Sequence, residues 1–353
     1  MTISKRSITG SILGTAVGDA LGLPYEGLSR RRAKRVFGQP DRHRFVLGHG
    51  MVSDDTEHTC IVAQALIASG ADADAFSQQL ARRLRLWLLS LPAGIGLATL
   101  KSTLRLCVGV SPQRSGVFSA GNGPAMRSAI IGAALNNPAL LKQFVRSSTR
   151  ITHTDPKAEY GALAVALAAR LASGPSAVGI PQYVGELRKL LDDEPADEFF
   201  ELVDRVAESL ACGESTDTFA ASLGLERGVT GYVYHTVPVA LHAWLKNQHD
   251  FRSAVTDVIR CGGDTDTTAA IVGGIVGCTV GQEGIPSEWL TRMCEWPRSI
   301  TWMKDLAGRL FETRINDVTA RPPRLPVYGI VPRNLAFMAI VLVHAFRRLL
   351  PPY

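Results

Sequence analysis

Residues 262–281 read GGDTDTTAAIVGGIVGCTVG, and this stretch carries both a fold signal and a chemical one. From Ala269 to Val280 the segment has no polar face, which predicts a helix surrounded by protein on every side. Its small residues permit close contact between backbones, and Gly281 is expected to end the helix. Asp264 and Asp266 precede the apolar part, so both carboxylates are expected at the start of a buried helix.

A second acidic cluster, Ser53-Asp54-Asp55-Thr56, lies more than two hundred residues earlier in the chain. The residues from Cys60 to Ala68 are mostly apolar, so Ser53 is predicted to cap a helix with the two aspartates in its first turn. Gly70 is expected to end that helix. Exposed amide groups and the helix dipole favour negative charge at such a position, and they help to keep a carboxylate ionised.

The two clusters together indicate a metal site. Neighbouring carboxylates repel each other unless a positive charge lies between them. Carboxylate and hydroxyl oxygens form the donor set that Mg2+ and Mn2+ prefer, whereas zinc favours imidazole and thiolate. The alternative is that all four aspartates are ordinary helix caps, although one per helix would suffice for capping. If the fold brings the clusters together, they are predicted to bind divalent cations.

Composition limits the fold class and the compartment. A chain of 353 residues with 46% hydrophobic content can bury a large core. Ala- and Leu-rich stretches such as 162–171 and 239–245 favour helices, and alternating strand-like segments are scarce, so we predict an all-α protein. The six cysteines show neither zinc-type nor disulfide-type spacing, and no cleavage pattern follows the N-terminus. We therefore expect a reducing, cytoplasmic location.

The charge pattern gives little support for a nucleic-acid partner. The formal net charge is +6, and a basic stretch lies between the two motif regions near the N-terminus. Its members are Arg30, Arg31, Arg32, Lys34, Arg35, Arg42 and Arg44. Such a run is usually a solvated surface, so we expect no nucleic acid among the partners.

A break in composition at residues 321–326 predicts two parts, an all-α domain over 1–320 and a C-terminal extension over 321–353. Four prolines within twelve residues, counting Pro332, are expected to stop any helix there. The apolar run Leu335–Phe346 that follows is too short to span a bilayer, so no transmembrane segment is expected. We predict that it docks as a helix on the domain's own surface, with a dimer contact and interfacial membrane anchoring as the alternatives.

Further segments offer groups that suit the same site. A small-residue helix near the start is predicted to deliver Glu26 onto a loop. Pro92-Ala93-Gly94-Ile95-Gly96 is either a plain turn or a glycine turn whose amides cradle a phosphate. Ser119-Ala120-Gly121-Asn122-Gly123 offers a hydroxyl, an amide and a permissive backbone for a ribose or pyrophosphate. His153, just before a helix capped by Asp155, is either a core imidazole or a ligand-binding residue.

Taken in this order, the segments resemble the ADP-ribosylglycohydrolase family, which includes the dinitrogenase reductase-activating glycohydrolase and the vertebrate ADP-ribosyl-acceptor hydrolases. The resemblance extends from about Ser7 to about Ile315. It rests on Gly18-Asp19-Ala20 with Glu26, Asp54-Asp55-Thr56, Gly121-Asn122-Gly123, Thr152-His153 and Gly263-Asp264-Thr265-Asp266-Thr267. Members of this family fold as one compact all-α domain and bind two divalent ions, Mg2+ or Mn2+, in a cleft that receives ADP-ribose.

This resemblance implies a role for each candidate residue. The expected metal ligands are Ser53, Asp54, Asp55, Asp264, Asp266 and Thr267. The expected substrate-binding residues are Gly94, Gly96, Ser119, Gly121, Asn122 and His153. The catalytic acid or base is expected among Glu26, Asp54 and Asp55, with Glu26 on a mobile loop over the metals, and the sequence does not decide between them.

The implied reaction is hydrolysis of the bond between ribose C1″ and a protein side chain, or the same bond in a related ADP-ribosyl compound. The acceptor residue stays open, because residues 90–93 lack the acid that arginine-directed bacterial relatives often carry. His235 and Thr236 stand where relatives often have an acid, a difference that the sequence does not explain. The chain is expected to act as a monomer.

Two interpretations from other classes remain. In the first, the scaffold binds ADP-ribose without turning it over, although Glu26 and all four aspartates are present. In the second, the chain is an all-α enzyme that acts on isoprenoid diphosphates through Asp-rich helices. The spacing argues against the second, because Thr56, Glu57 and His58 follow Asp54-Asp55 without a third aspartate in register.

Overall fold

A computed structural model shows an all-α protein, as predicted. It describes residues 3–348, 350 and 351, so residues 349, 352 and 353 of the predicted extension lie outside the described residues. Within the described ranges the backbone forms α-helices, two short 3-10 helices and isolated β-bridges, without a named strand. All six cysteines are free thiols.

The helices follow one another with short connections. In chain order they are α1 (Lys5–Gly22), α2 (Arg30–Phe37), α3 (Asp54–Ser69), α4 (Ala73–Leu89), α5 (Leu97–Cys107), α6 (Pro112–Ser115), α7 (Gly123–Met126), α8 (Ala129–Ala134), α9 (Pro138–Arg150), α10 (Pro156–Ala172), α11 (Ile180–Leu190), α12 (Asp197–Ala211), α13 (Thr216–Ser222), α14 (Val233–Lys246), α15 (Phe251–Arg260), α16 (Thr265–Val280), α17 (Ser287–Thr291), α18 (Ile300–Asn316) and α19 (Val327–Arg348). The 3-10 helices are Leu23–Tyr25 and Gln282–Gly284.

The predicted starts and ends of the key helices are confirmed. Ser53 caps α3, where its Oγ accepts a hydrogen bond from the Asp55 amide, and Gly70 ends the helix. Asp155 caps α10, and Gly281 ends α16. Every residue of α16 except Thr279 is buried, as its apolar sequence predicts. The ends of these helices are where the chemical groups lie.

Helices α1 and α16 pack backbone against backbone at the centre of the fold. On the contact face of α1 every fourth residue is a glycine, namely Gly10, Gly14, Gly18 and Gly22. A Cβ added at any of them would lie 1.9–2.4 Å from a carbonyl oxygen of α16. This seam holds the loop after α1, which carries Glu26, beside the start of α16, which carries the second acidic cluster.

Gly14→Ala is expected to destabilise the protein by about 1–3 kcal/mol, because the new Cβ would lie 2.1 Å from the Gly273 carbonyl oxygen and force the helices apart. The matched control is Gly185→Ala in α11, where nothing lies within 4 Å of an added Cβ. That change should stabilise by about 0.5–1 kcal/mol through helix propensity. Urea unfolding followed by circular dichroism compares the two, and effects of equal sign would contradict the backbone contact.

The C-terminal helix differs from the prediction at its start. Helix α19 begins at Val327 and continues through Pro332, which was expected to stop any helix. Pro332 lies in the second turn, where its missing N–H removes one helical hydrogen bond. The next residue, Arg333, is fixed by buried hydrogen bonds to Glu295 and to the Val52 carbonyl. These contacts hold the turn that the proline weakens.

Helix α19 docks on the domain, as predicted. Phe337 is buried against Phe45, and the His344 side chain bonds the Phe45 carbonyl at 2.8 Å. The segment Val327–Arg347 is long and apolar enough to cross a bilayer by length and composition. One such helix is weak evidence for a membrane span. Because this one is tied to the domain by buried polar contacts, no transmembrane segment is indicated.

Candidate active site

The two acidic clusters meet in the folded chain although more than two hundred residues separate them. Thr267 Oγ1 at the start of α16 donates a hydrogen bond to Asp55 Oδ2 at 3.2 Å. Ser53 Oγ donates to the same oxygen at 3.0 Å. The first turns of α3 and α16 are therefore in direct contact, as the metal-site prediction requires.

A cleft of about 540 Å³ opens above the two clusters. The predicted residues that line it are Glu26, Asp54, Gly94, Gly96, Ser119, Gly121, Asn122, His153, Asp264, Asp266 and Thr267. Ser53 and Asp55 lie beneath its floor, where both are buried. The structure thus brings all the predicted site residues to one place, with two of them below the surface of the cleft.

Capping does not account for the four aspartates. In α3 the cap is Ser53, and neither Asp54 nor Asp55 provides one. Asp264 occupies the cap position of α16 but makes no capping hydrogen bond with its side chain. Its Oδ2 instead accepts a hydrogen bond from Asn122 Nδ2 at 2.7 Å. Asp54, Asp264 and Asp266 line the cleft, and Asp55 is buried in contact with Ser53 and Thr267.

Buried carboxylate oxygens in this site lack partners. Asp55 Oδ1 and Asp266 Oδ1 are both buried without a hydrogen-bond donor. Burial raises the pKa of each carboxyl well above its usual range, and nearby carboxylates raise it further. Burial and the neighbouring acids likewise raise the pKa of Asp54. Such a group of oxygens is stable as anions only if a positive charge is supplied.

The chemistry of these donors fits a hard divalent cation. In the part of the chain that the structure describes, no three His, Cys, Asp or Glu side chains are grouped as a complete ligand set. The fit therefore rests on the unpartnered oxygens of Asp55 and Asp266 and on the mixture of carboxylates and hydroxyls around them. Oxygen ligands of this kind suit Mg2+ and Mn2+.

Asp19 is a buried carboxylate that the sequence prediction did not assign to the site. Its oxygens accept hydrogen bonds from the Ser53 amide at 2.9 and 3.1 Å, and from Thr56 through the amide at 3.2 Å and Oγ1 at 2.5 Å. Burial raises the pKa of Asp19 to about 7. Asp19 thereby holds the first turn of α3 in place. A lone acid within the otherwise apolar helix α1 is the sequence signal that could have identified it.

Backbone hydrogen bonds fix the loop that carries Glu26. The Gly27 amide donates to the Gly263 carbonyl at 2.7 Å, and the Gly263 amide donates to the Leu28 carbonyl at 2.9 Å. Gly263 has a φ of +80°, and a Cβ there would lie 1.9 Å from the Val229 carbonyl oxygen. A glycine is therefore required where the loop after α1 meets the start of α16.

The structure shows a role for Thr236, one of the two residues that stand where relatives often have an acid. Its Oγ1 donates to the Thr230 carbonyl at 2.9 Å and accepts a hydrogen bond from Asn122 Nδ2 at 2.9 Å. The backbone amide of Asn122 also donates a hydrogen bond to the Gly231 carbonyl at 2.9 Å. Thr236 thus holds the Asn122 side chain against Asp264. Nothing in the local sequence indicated this link between α14 and α16.

His153 lies at the wall of the cleft as a neutral side chain. Its Nδ1 is 2.9 Å from Thr152 Oγ1, which itself accepts a hydrogen bond from the buried Arg127 at 2.7 Å. Burial, followed by the charge of Arg127, lowers the pKa of His153 to about 3. The ring packs against Gly121, where an added Cβ would lie 3.0 Å from Nε2. At neutral pH this imidazole is suited to hydrogen bonding with a ligand rather than to proton transfer.

The glycine turn before α5 faces the first acidic cluster. Gly94 has a φ of +79°, and a Cβ there would lie 3.9 Å from Asp54 Oδ1. Gly96 occupies the cap position of α5, and residues 97–99 line the cleft. The amino end of this helix therefore opens onto the site, where its free amides favour an anionic group.

The sequence pattern of the ADP-ribosylglycohydrolase family matches residues 2–319 of the chain. The chain belongs to this family. Its relatives include a protein of uncharacterised function from Archaeoglobus fulgidus, 30% identical over 87% of this chain and 96% of that protein. The ADP-ribosyl-[dinitrogen reductase] glycohydrolase of Rhodospirillum rubrum is 28% identical, over 80% of this chain and 89% of its own length.

Two further comparisons agree with the ADP-ribosylglycohydrolase assignment. The ADP-ribosylhydrolase ARH3 of Gallus gallus is 25% identical over 81% of this chain and 88% of that protein. A solved structure titled ADP-ribosylglycohydrolase-related protein complex superposes with a TM-score of 0.67 at 26% identity, over 89% of this chain and 100% of that one. The predicted family, all-α fold and class of enzyme, a hydrolase of glycosyl bonds, are confirmed.

Proposed function

We propose that this ADP-ribosylglycohydrolase cleaves the bond between ADP-ribose and a protein side chain, or the same bond in a related small ADP-ribosyl compound, with two Mg2+ or Mn2+ ions. The observation that carries the proposal is the contact between Asp55 and Thr267, which joins the two acidic clusters beneath the cleft. We further propose that the enzyme acts in the cytoplasm as a monomer, in keeping with its six free cysteines.

The residues that would hold the ions are Ser53, Asp54, Asp55, Asp264, Asp266 and Thr267. When bound, the ions supply charge to the ribose hydroxyl oxygens and lower the pKa of a water molecule. The unpartnered oxygens of Asp55 and Asp266 support this assignment. Asp19 would support the ion site indirectly, because it positions Ser53 and the first turn of α3.

Side chains of the protein would then transfer the protons that the hydrolysis requires. Water adds to ribose C1″, the bond from C1″ to the acceptor atom breaks, and the acceptor gains a proton. The transition state has oxocarbenium character, so a nearby carboxylate stabilises it. Glu26 lines the cleft on the loop after α1, near Asp54 and Asp266, and is placed to exchange a proton with water or with the acceptor.

The cleft walls would orient the substrate. The amino end of α5 at Gly96 suits the negative charge of a diphosphate. Asn122 and the neutral His153 would offer hydrogen bonds on the opposite segment, where the missing side chain of Gly121 leaves room for the His153 ring. Fixed donors of this kind lower the entropy cost of placing C1″ beside the reacting water.

The proposal is tested by measuring the release of ADP-ribose from peptides modified on Arg or Ser, and from small ADP-ribosyl compounds. Each substrate is assayed with Mg2+, with Mn2+ and with EDTA. Release that requires a divalent ion supports the proposal, and the panel identifies the acceptor. Tight binding of ADP-ribose without release from any substrate would favour the non-catalytic binding protein instead.

The metal-free protein is expected to lose stability as pH rises from about 6.5 to 8.5. Burial raises the pKa of Asp19 to about 7, and the pKa values of Asp54, Asp55 and Asp266 are raised well above their usual range, so in this range the folded state gives up protons that the unfolded state has already lost. Asp19 alone should contribute about 1 kcal/mol to the loss. The buried histidines, whose pKa values are lowered in the folded state, oppose part of this loss near pH 6.5, where the unfolded chain still binds protons that the folded chain does not, and they have little effect above about pH 7.5.

Thermal unfolding in EDTA at both pH values measures this effect. Excess Mg2+ or Mn2+ should remove most of the difference, since it compensates the charges. Asp19→Asn is expected to reduce the pH dependence without abolishing it, because the other carboxylates remain. A melting temperature that is independent of pH in EDTA, or equally dependent with metal, would contradict the interpretation.

A further inference from the structure

Helix α19 presents an apolar face to the outside. Its exposed positions from Tyr328 to Phe346 hold only Val, Pro, Leu, Ala and Met besides these two aromatics. The larger exposed side chains are Tyr328 (80%), Val331 (38%), Leu335 (56%), Met338 (37%), Leu342 (60%), Val343 (68%) and Phe346 (71%). A helix face in contact with water normally carries charged or polar residues, so this face is suited to an apolar environment.

The opposite face of α19 fixes the helix to the domain through polar contacts. Arg333 pairs with Glu295 at 2.7 Å, and Asn334 donates to the Ser90 carbonyl at 2.8 Å. Withdrawing the helix to span a bilayer would break these bonds and leave Glu295 buried without its partner. Helix α19 therefore stays docked, and its outer face is what a partner can contact.

Basic groups adjoin this apolar face. Phe37 at the end of α2 lies 6.0 Å, ring to ring, from His344 of α19. Helix α2 exposes Arg31 and Lys34, and residues 27–40 contain no acidic side chain. Residues 318–353 contain none either, and Arg347 is exposed near the end of α19. Leu47, which is 96% exposed, extends the apolar surface just beyond Phe45, whose ring stacks on His344.

We propose that α19 and α2 form a peripheral binding surface for an anionic lipid bilayer, with α19 lying in the plane of the headgroups. An apolar helix face flanked by cations is the combination that such interfaces recognise, because acyl chains take up the apolar side chains and anionic headgroups neutralise the basic ones. A second copy of the chain fits less well, because a two-fold contact through this face would bring the basic helices of two protomers together. The inference is independent of the proposed catalytic function.

The test is sedimentation of the full chain with phosphatidylcholine vesicles and with vesicles of equal phosphatidylcholine and phosphatidylglycerol. We expect binding to the mixed vesicles that weakens at about 0.5 M salt, where the Debye length is short. Val343→Glu should reduce the partition coefficient by roughly tenfold or more, because it places a charge in the apolar face. The matched control is Val108→Glu at an 80% exposed site after α5, which should bind as the unmodified chain does.

A second variant keeps the test independent of α19. Replacing both Arg31 and Lys34 by Gln should remove the preference for the anionic vesicles, since only the electrostatic attraction is lost. Melting temperatures and circular dichroism check that each variant is folded. Equal binding by Val343→Glu and Val108→Glu would overturn the proposal. Resistance to carbonate extraction would also overturn it, because it indicates a spanning helix. So would a chain that fails to bind vesicles, sediments as a dimer and becomes monomeric with Val343→Glu.

Discussion

Asp266→Ala is expected to abolish turnover, with a loss of roughly 10³-fold or more, while the protein remains folded. Asp266 lines the cleft in the first turn of α16, and its Oδ1 is buried without a donor. Its carboxylate contributes little packing, but it is one of the charges that would hold the divalent ions. Removing it should therefore affect the reaction far more than the fold.

The melting temperature of Asp266→Ala provides a second measurement. Unlike the activity, it is not expected to fall in the absence of metal. Burial and nearby acids raise the pKa of Asp266, which means that its ionised form is unfavourable in the metal-free protein. We expect Asp266→Ala to melt at the same temperature as the unmodified chain in EDTA, or higher. We also expect the rise in melting temperature on adding Mg2+ or Mn2+ to be much smaller than in the unmodified chain.

The matched control for this prediction is Asp250→Ala. Asp250 caps α15, where its side chain accepts hydrogen bonds from the amide and hydroxyl of Ser253. Loss of this cap should cost about 1 kcal/mol of stability without changing the rate or the metal response. Full activity of Asp266→Ala, or equal loss of activity in both variants, would refute the role assigned to the second acidic cluster.

The sequence predicted the parts of this protein that local patterns determine. The apolar run after Asp266 specified the buried helix α16. The hydroxyl residue before Asp54, Ser53, specified the cap of α3. The family motifs identified residues of one cleft because the family's fold brings those segments together. The convergence of the two clusters followed from the chemistry of paired carboxylates, which requires a common positive charge.

What the sequence did not predict depends on contacts between distant segments. Thr236 supports Asn122 across more than a hundred residues, and Asp19 supports Ser53 from a neighbouring helix. The spacing of residues along one helix carries no record of such pairs. The start of α19 was misplaced for the same reason, because contacts of Arg333 with the distant Glu295 outweigh the local effect of Pro332.

Those contacts form a buried ionic network next to the first acidic cluster. Arg333 makes two hydrogen bonds to Glu295 and one to the Val52 carbonyl, and the Val52 amide donates to the same glutamate at 3.1 Å. Glu57 in α3 lies 3.5 Å from Arg333 and 2.6 Å from Arg298. Both backbone groups of Val52, the residue before Ser53, are therefore held by this network, to which α19 contributes a cation from outside the family match.

Arg333→Ala is expected to destabilise the protein by about 3–5 kcal/mol, because it leaves the buried Glu295 carboxylate without its partner and the Val52 carbonyl without a donor. The melting temperature should fall by roughly 5–10 °C. The control is Arg347→Ala, which removes an exposed cation from the same helix and should change stability by less than about 0.5 kcal/mol.

A double variant separates the charge effect from loss of packing. Arg333→Met leaves a side chain of similar length but strands Glu295, so it should be strongly destabilised like Arg333→Ala. Adding Glu295→Gln removes the stranded charge and should restore about half or more of the lost stability. The midpoint of a Mg2+ titration followed by thermal unfolding should shift upward in Arg333→Met and shift back in the double variant, because Val52 leads directly into Ser53. If the double variant is no more stable than Arg333→Met, the packing of α19 rather than the ion pair holds this end of the site.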